Sequence, residues 1–113
     1  MFARVMSIQI QSGKLEEASA VYRDYVLPVA RQQKGFVSAL LLTDARTGKA
    51  VSTTVWETMA DQNADAANGY IQRELARIGT LIVAPPTQEE FEVSVYSRIP
   101  GPSPAGTEDR PQG

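Results

Sequence analysis

The stretch Phe36–Thr58, FVSALLLTDARTGKAVSTTVWET, decides the fold. It reads as two strands joined by a tight loop. Within Phe36 to Asp44 the run VSALLL is apolar at successive positions, so both faces of that strand need cover. Asp44-Ala45-Arg46-Thr47-Gly48-Lys49 is a hairpin loop, with Gly48 supplying a positive φ. Ala50 to Glu57 then alternates. Val51, Thr53 and Val55 fall on one face, and Ser52, Thr54 and Trp56 on the other.

On each side of this hairpin lie one helix and one further strand. Upstream, Phe2 to Ile10 reads as a strand with Phe2, Met6, Ile8 and Ile10 on one face and Arg4 among them. Gln11-Ser12-Gly13 is a turn. Ser12 is the expected N-cap, and Glu16 and Glu17 behind it suit the helix dipole. The helix runs to about Gln33, with Leu15, Ala18, Tyr22, Val26 and Val29 in one stripe. Pro28 removes the amide that would bond Asp24, so the helix should kink or restart there. Gly35 ends it. Downstream, Thr58 is set to cap a second helix, with Asp61 three residues on. Helical character continues to about Ile82, broken at Gly69, with Ile71, Leu75, Ile78 and Leu81 facing inward. Ala84-Pro85-Pro86 stops it. Glu90 to Ser97 is the expected last strand, with Phe91, Val93 and Val95 on one face.

The order β-α-β-β-α-β predicts an α+β, ferredoxin-like fold: a four-stranded antiparallel sheet with two helices on one face. The opposite sheet face is then bare. Val37, Ala39 and Leu41, or else Leu40 and Leu42, lie exposed on it, and a bare apolar face of this kind calls for a partner. Two sheets packed face to face across a two-fold axis satisfy it, so a homodimer is expected.

With 113 residues, one domain is expected, over residues 1–98. The remainder, 99–113 (IPGPSPAGTEDRPQG), is rich in proline and glycine and has too little to bury, which predicts a disordered tail. The net charge is −2 and the pI about 5.1, against a nucleic-acid binder or a polybasic membrane-surface segment. There is no cysteine and no histidine. That removes a thiol nucleophile, a Ser-His-Asp triad, the usual zinc ligands and a proximal haem histidine. No apolar run approaches a membrane helix, and MFARVMSIQIQSGK lacks a signal-peptide pattern, so a cytoplasmic location is expected.

Few residues offer chemistry. Trp56, the single tryptophan, either walls a pocket and donates its indole N–H to a substrate oxygen, or anchors the core. Tyr22, Tyr25 and Tyr70 are helix phenols, each able to orient a substrate oxygen or simply to pack a ring and wet a hydroxyl. Arg73 and Arg77 are one turn apart and either stabilise a developing phenolate or belong to a solvated face. The candidate catalytic set is Trp56, Tyr22 and Arg77. Arg4, among apolar neighbours, is expected to pair across the sheet with Glu57 or Glu92. The carboxylates Asp61 and Asp65, like Glu16-Glu17 and Glu89-Glu90-Glu92, form no evident site, and no P-loop, Rossmann or EF-hand motif is present.

The chain resembles the antibiotic-biosynthesis-monooxygenase-like dimeric α/β barrels. The resemblance covers residues 2–98 and rests on YVLPVARQQKGF (Tyr25 to Phe36), VWET (Val55 to Thr58) leading into the second helix, and APP followed by FEVSVY. It implies a homodimer with a pocket in each subunit between helices and sheet. It implies cofactor-free oxidation of a phenol or quinol, whose ionised form reacts with dioxygen directly. Haem-degrading members use a histidine, an asparagine and a tryptophan. Trp56 looks like that tryptophan, but the histidine is missing and Met6 or Ser7 stands where the asparagine would be, which disfavours haem. Two readings result. One is a cofactor-independent monooxygenase on a phenolic or quinol molecule. The other is a non-catalytic dimer that binds a small apolar or aromatic ligand or acts in a stress response. Neither requires a cofactor.

Overall fold

A computed structural model of the chain describes residues 1–67 and 69–98. The expected tail lies outside the described residues. Strand β1 (Phe2–Gln9) leads into helix α1 (Leu15–Val21), a π-helical turn (Tyr22–Val26) and the short helix α2 (Leu27–Ala30). Strands β2 (Phe36–Asp44) and β3 (Lys49–Trp56) form the central hairpin. Helices α3 (Met59–Ala67) and α4 (Tyr70–Arg77), a 3-10 turn (Gly79–Leu81) and strand β4 (Thr87–Glu92) complete the chain. The sheet order is β2-β3-β1-β4, antiparallel throughout. This is the ferredoxin-like arrangement, with β1 central and the helices on one face.

The irregular first helix follows from Pro28. Without an amide at that position the α-helical bond to Asp24 cannot form, and the turn before it widens, with the Leu27 N–H bonding to the Tyr22 carbonyl five residues back. The start of α1 differs from expectation. Lys14, not Ser12, occupies the N-cap, and no side chain caps the helix. Gly13 at φ +82 and the Lys14 N–H bond to Gln11 O at 3.0 Å hold a turn there, which delays the helix by two positions. Thr58 does cap α3: its Oγ1 accepts from the Asp61 N–H at 3.0 Å. The Asp61 carboxylate turns to Lys34 Nζ, 3.4 Å away, and does not close a capping box. Gly69 at φ +88 separates α3 from α4 as expected.

The largest correction concerns β4. It spans Thr87–Glu92, not Glu90 to Ser97, and pairs Phe2 with Glu92 and Arg4 with Glu90. Pairing decided this. The ladder of β4 with β1 ends at Phe2 and Glu92, followed by one further bond from the Val93 N–H to Met1 O at 2.9 Å. Val95 is left 86% exposed.

The core lies between sheet and helices, where Ile8, Ile10, Ala50, Ile78 and Leu81 are buried together. On β2 a bulge between Phe36 and Ser38 sets the register. Leu41 then packs on the core, and Leu40 and Leu42 point outward, more than half exposed. Arg4 also departs from expectation. Its partner is Asp65 of α3, with NH1 to Oδ2 at 2.9 Å, and its NH2 donates to the Gln62 carbonyl at 2.6 Å. Glu57 and Glu92 are exposed, whereas Arg4 is 4% exposed, so neither can follow it inward.

Gly35 closes the first helical segment at φ +81, and a Cβ there would overlap the Asp61 side chain. Gly13 has a similar φ of +82 with open space around it. Gly13→Ala should therefore lose only the left-handed backbone penalty, about 1–2 kcal/mol. Gly35→Ala should lose distinctly more, about 3 kcal/mol, in urea denaturation. Asp65→Ala strands a buried guanidinium and should cost about 3–5 kcal/mol in the same assay. Glu17→Gln, which removes the exposed partner of Lys14, should cost under ~0.5 kcal/mol.

Candidate functional site

A cavity of about 90 Å³ opens between the helices and the sheet. One ordered water needs only ~15 Å³, so there is room for a small organic molecule. The walls are mainly aliphatic: Met6 and Ile8 from β1, Leu41 from β2, Leu15 from α1, and Leu75 and Ile78 from the second helical half. Alternation along β1 and β3 turns Arg4, Met6 and Ile8, and Ala50, Ser52 and Thr54, toward this space. Besides the hydroxyl residues Ser19 and Thr43, polar groups enter at two places.

The first is a pair of hydroxyls. Tyr22 stands at the head of the π-helical turn, and Ser52 Oγ donates to its phenol oxygen at 3.1 Å. Burial pushes the Tyr22 pKa above its ordinary value near 10 by penalising the phenolate, and the Ser52 hydrogen bond offsets part of that. Tyr22 is thus a neutral phenol at physiological pH. Its oxygen accepts from Ser52, and its own proton remains to be donated.

The second is the Arg4–Asp65 pair, which lines the cavity beside Thr54. In the register of the sheet Arg4 lies directly opposite Thr54. Arg4 Nε, Asp65 Oδ1 and Gln62 Oε1 are buried and find no hydrogen-bond partner among the described residues. Arg4 and Asp65 cancel each other's charge, so this end of the cavity is polar yet neutral.

The expected catalytic residues are dispersed. Tyr22 lines the cavity. Trp56 does not: it is 0% exposed at the end of β3, packed edge-on against Phe36 with ring centroids 5.6 Å apart. Its indole N–H donates to Thr54 Oγ1 at 3.1 Å and not into the cavity. Arg77 is also outside the lining. Its guanidinium carbon sits 4.1 Å from the centroid of the Tyr25 ring, a cation–π contact. Tyr25 is 46% exposed, and the side chain of Tyr70 lies outside the described residues. Reading the sequence did not single out Ser52, Thr54 or Asp65. Ser52 and Thr54 carried a usable signal, since they alternate with Val51, Thr53 and Val55 and must face the helices with Trp56. Asp65 carried none, because its partner Arg4 is 61 residues away. Among the described residues no group of three or more His, Cys, Asp or Glu could hold a metal ion. No described helix is long and apolar enough to cross a membrane.

The fold has known counterparts. The uncharacterized protein Rv2557 of Mycobacterium tuberculosis is 29% identical over 98 residues, 87% of this chain and 43% of that protein. Rv2558 of the same organism is 26% identical over 98 residues, 87% of this chain and 41% of its own length. The chain thus spans less than half the length of these relatives. Among solved structures, the NE2512 protein of unknown function from Nitrosomonas europaea superposes with a TM-score of 0.74 at 17% identity, covering 88% of this chain and 95% of that one. A monooxygenase from the gene ActVA-Orf6 of Streptomyces coelicolor, in complex with the ligand nanaomycin D, superposes with a TM-score of 0.71 at 15% identity, covering 88% and 92%. The family model for antibiotic biosynthesis monooxygenases matches residues 1–73, and with more than half its length matched the chain belongs to that family.

Proposed function

We propose that the cavity binds a small, largely apolar aromatic molecule and that the chain oxidises it as a cofactor-independent monooxygenase acting on a phenol or quinol. The observation that carries this reading is the Tyr22–Ser52 pair opening on a mainly aliphatic cavity. An apolar pocket with a few convergent polar groups is the usual form of a small-molecule site. Family membership supports the reaction class, and the nanaomycin D held by the Streptomyces coelicolor protein supports a small ligand. In the reaction proposed, the substrate loses a proton from its hydroxyl and the resulting carbanion attacks dioxygen. One oxygen atom becomes the new carbonyl on the ring carbon, and the other leaves as water with the two hydrogens removed. Tyr22 donates its phenol proton as a hydrogen bond to the substrate oxygen while negative charge grows there. Arg77 and Trp56 lie outside the lining and contribute no direct contact to this scheme.

The reading includes a homodimer. Leu40 and Leu42 are 56% and 52% exposed on the outer face of the sheet, with Phe91 at 51%, and a second copy would cover them.

Oxygen consumption with 1,4-naphthohydroquinone above its spontaneous oxidation tests the reaction. Tyr22→Phe should lower the enzymatic rate about a hundredfold, the cost of one lost donor at developing charge, and leave the fold intact. No stimulation over the buffer rate by the unaltered protein, together with retained ligand binding, would favour the non-catalytic dimer. Sedimentation at micromolar concentration should give a dimer, which requires an interface above about 1,000 Å². Leu40→Lys with Leu42→Lys should shift it to monomer, and a monomer in the unaltered protein would remove the dimer from the reading.

A further inference from the structure

The bond between Trp56 and Thr54 assigns a donor to the cavity. An indole N–H can only donate, so at 3.1 Å it makes Thr54 Oγ1 the acceptor and leaves the threonine's own proton uncommitted. No other hydrogen bond of the Thr54 side chain occurs among the described residues. The hydroxyl therefore has a proton to give and a fixed direction in which it cannot give it. Thr54 lines the cavity, and Arg4, opposite it in the sheet, is 4% exposed with an Nε that has no partner among the described residues. Buried donors of this kind are costly unless something fills them. Asp65 neutralises Arg4 at 2.9 Å, so the pair offers no net charge to attract an anion.

We propose that Thr54 is a specificity-determining residue whose O–H donates to an uncharged oxygen acceptor, a ketone or quinone carbonyl, on the ligand. Trp56 is a positioning residue: it acts through Thr54 and does not touch the ligand. The inference rests on the cavity being the ligand site, as proposed above, and adds the oxygen acceptor and the two residues that select it.

Acetophenone and ethylbenzene nearly match in shape and differ in one carbonyl oxygen, so titration calorimetry of the full chain with both reads the donor directly. The unaltered protein should bind acetophenone about tenfold more tightly than ethylbenzene, the size of one net hydrogen bond. Thr54→Val keeps the shape and removes the hydroxyl. It should reduce the preference severalfold, Tyr22 remaining as a second donor, while changing ethylbenzene affinity less than about twofold, and Thr54→Ser should retain most of the preference. Trp56→Phe should reduce the preference severalfold in the Thr54 background and not at all in the Thr54→Val background, the signature of a coupled pair. Thermal melts establish which variants fold, and if Trp56→Phe does not fold, Thr54→Val against Thr54→Ser still decides the role of Thr54. Benzoate should bind no better than acetophenone. An acetophenone preference unchanged by Thr54→Val overturns the proposal, as does tighter binding of benzoate. An equal effect of Trp56→Phe in both backgrounds overturns the positioning role. If neither acetophenone nor ethylbenzene binds, the cavity reading falls and this inference with it. If both bind equally, only the inference falls.

Discussion

The bond between Arg4 and Asp65 joins the central strand of the sheet to the first half of the second helical segment, and the geometry of the cavity depends on it. Both side chains are almost fully buried. Taking two charges out of water costs several kcal/mol per ion, and their attraction offsets that only in good geometry. Here the geometry is good on one side, where Arg4 also donates to the Gln62 carbonyl, and incomplete on the other, where Arg4 Nε and Asp65 Oδ1 lack partners among the described residues. Aliphatic residues of similar volume would pack the same space at no greater cost. A buried pair that contributes little net stability and fixes one end of an apolar cavity is understood more readily through the cavity than through the core.

The sequence made the hairpin and the element order legible because their signals are local. Gly48 and the alternation of Ser52, Thr54 and Trp56 depend only on neighbours in the chain. The same holds for the breaks at Pro28, Gly35 and Gly69, where a missing amide or a positive φ acts at the residue itself. Elements defined by partners were less legible. FEVSVY has the composition of a strand, yet β4 spans Thr87–Glu92, the residues whose register matches Phe2 to Ser7 of β1. Arg4 shows the same limit at the level of one side chain. Adjacent strands offered it Glu57 and Glu92, and only the packing of α3 on the sheet brings Asp65 to it.

The candidate site was legible in part. Tyr22 belongs to the inward stripe of the first helix, so a phenol facing the sheet could be read from spacing alone. The partner that makes it a donor, Ser52, comes from the strand across the cavity, and no spacing within either element connects the two. Arg77 was chosen for its charge, but charge on a helix is drawn outward by solvent or by an aromatic face, and Arg77 found the Tyr25 ring.

Trp56 joins these points. Its position at the end of β3 drew attention to it as a pocket wall, and its complete burial makes it an anchor of the core. These two roles exclude each other only if a residue must touch a ligand to affect it. A tryptophan has a large apolar body and a single donor, and burying the body obliges the donor to find a partner. The nearest acceptor on the same strand face is Thr54, two residues back, and satisfying the indole there polarises a hydroxyl at the edge of the cavity. The packing that holds the ring against Phe36 therefore also fixes which way a cavity donor can point. In a site without histidine or cysteine, orientation of neutral hydroxyls is the main instrument available. Tyr22 and Thr54 are each set by a neighbour that donates to their oxygen, Ser52 in one case and Trp56 in the other. The common logic is that occupying an acceptor directs a proton. A polar surface built in this way recognises an oxygen atom without needing a formal charge.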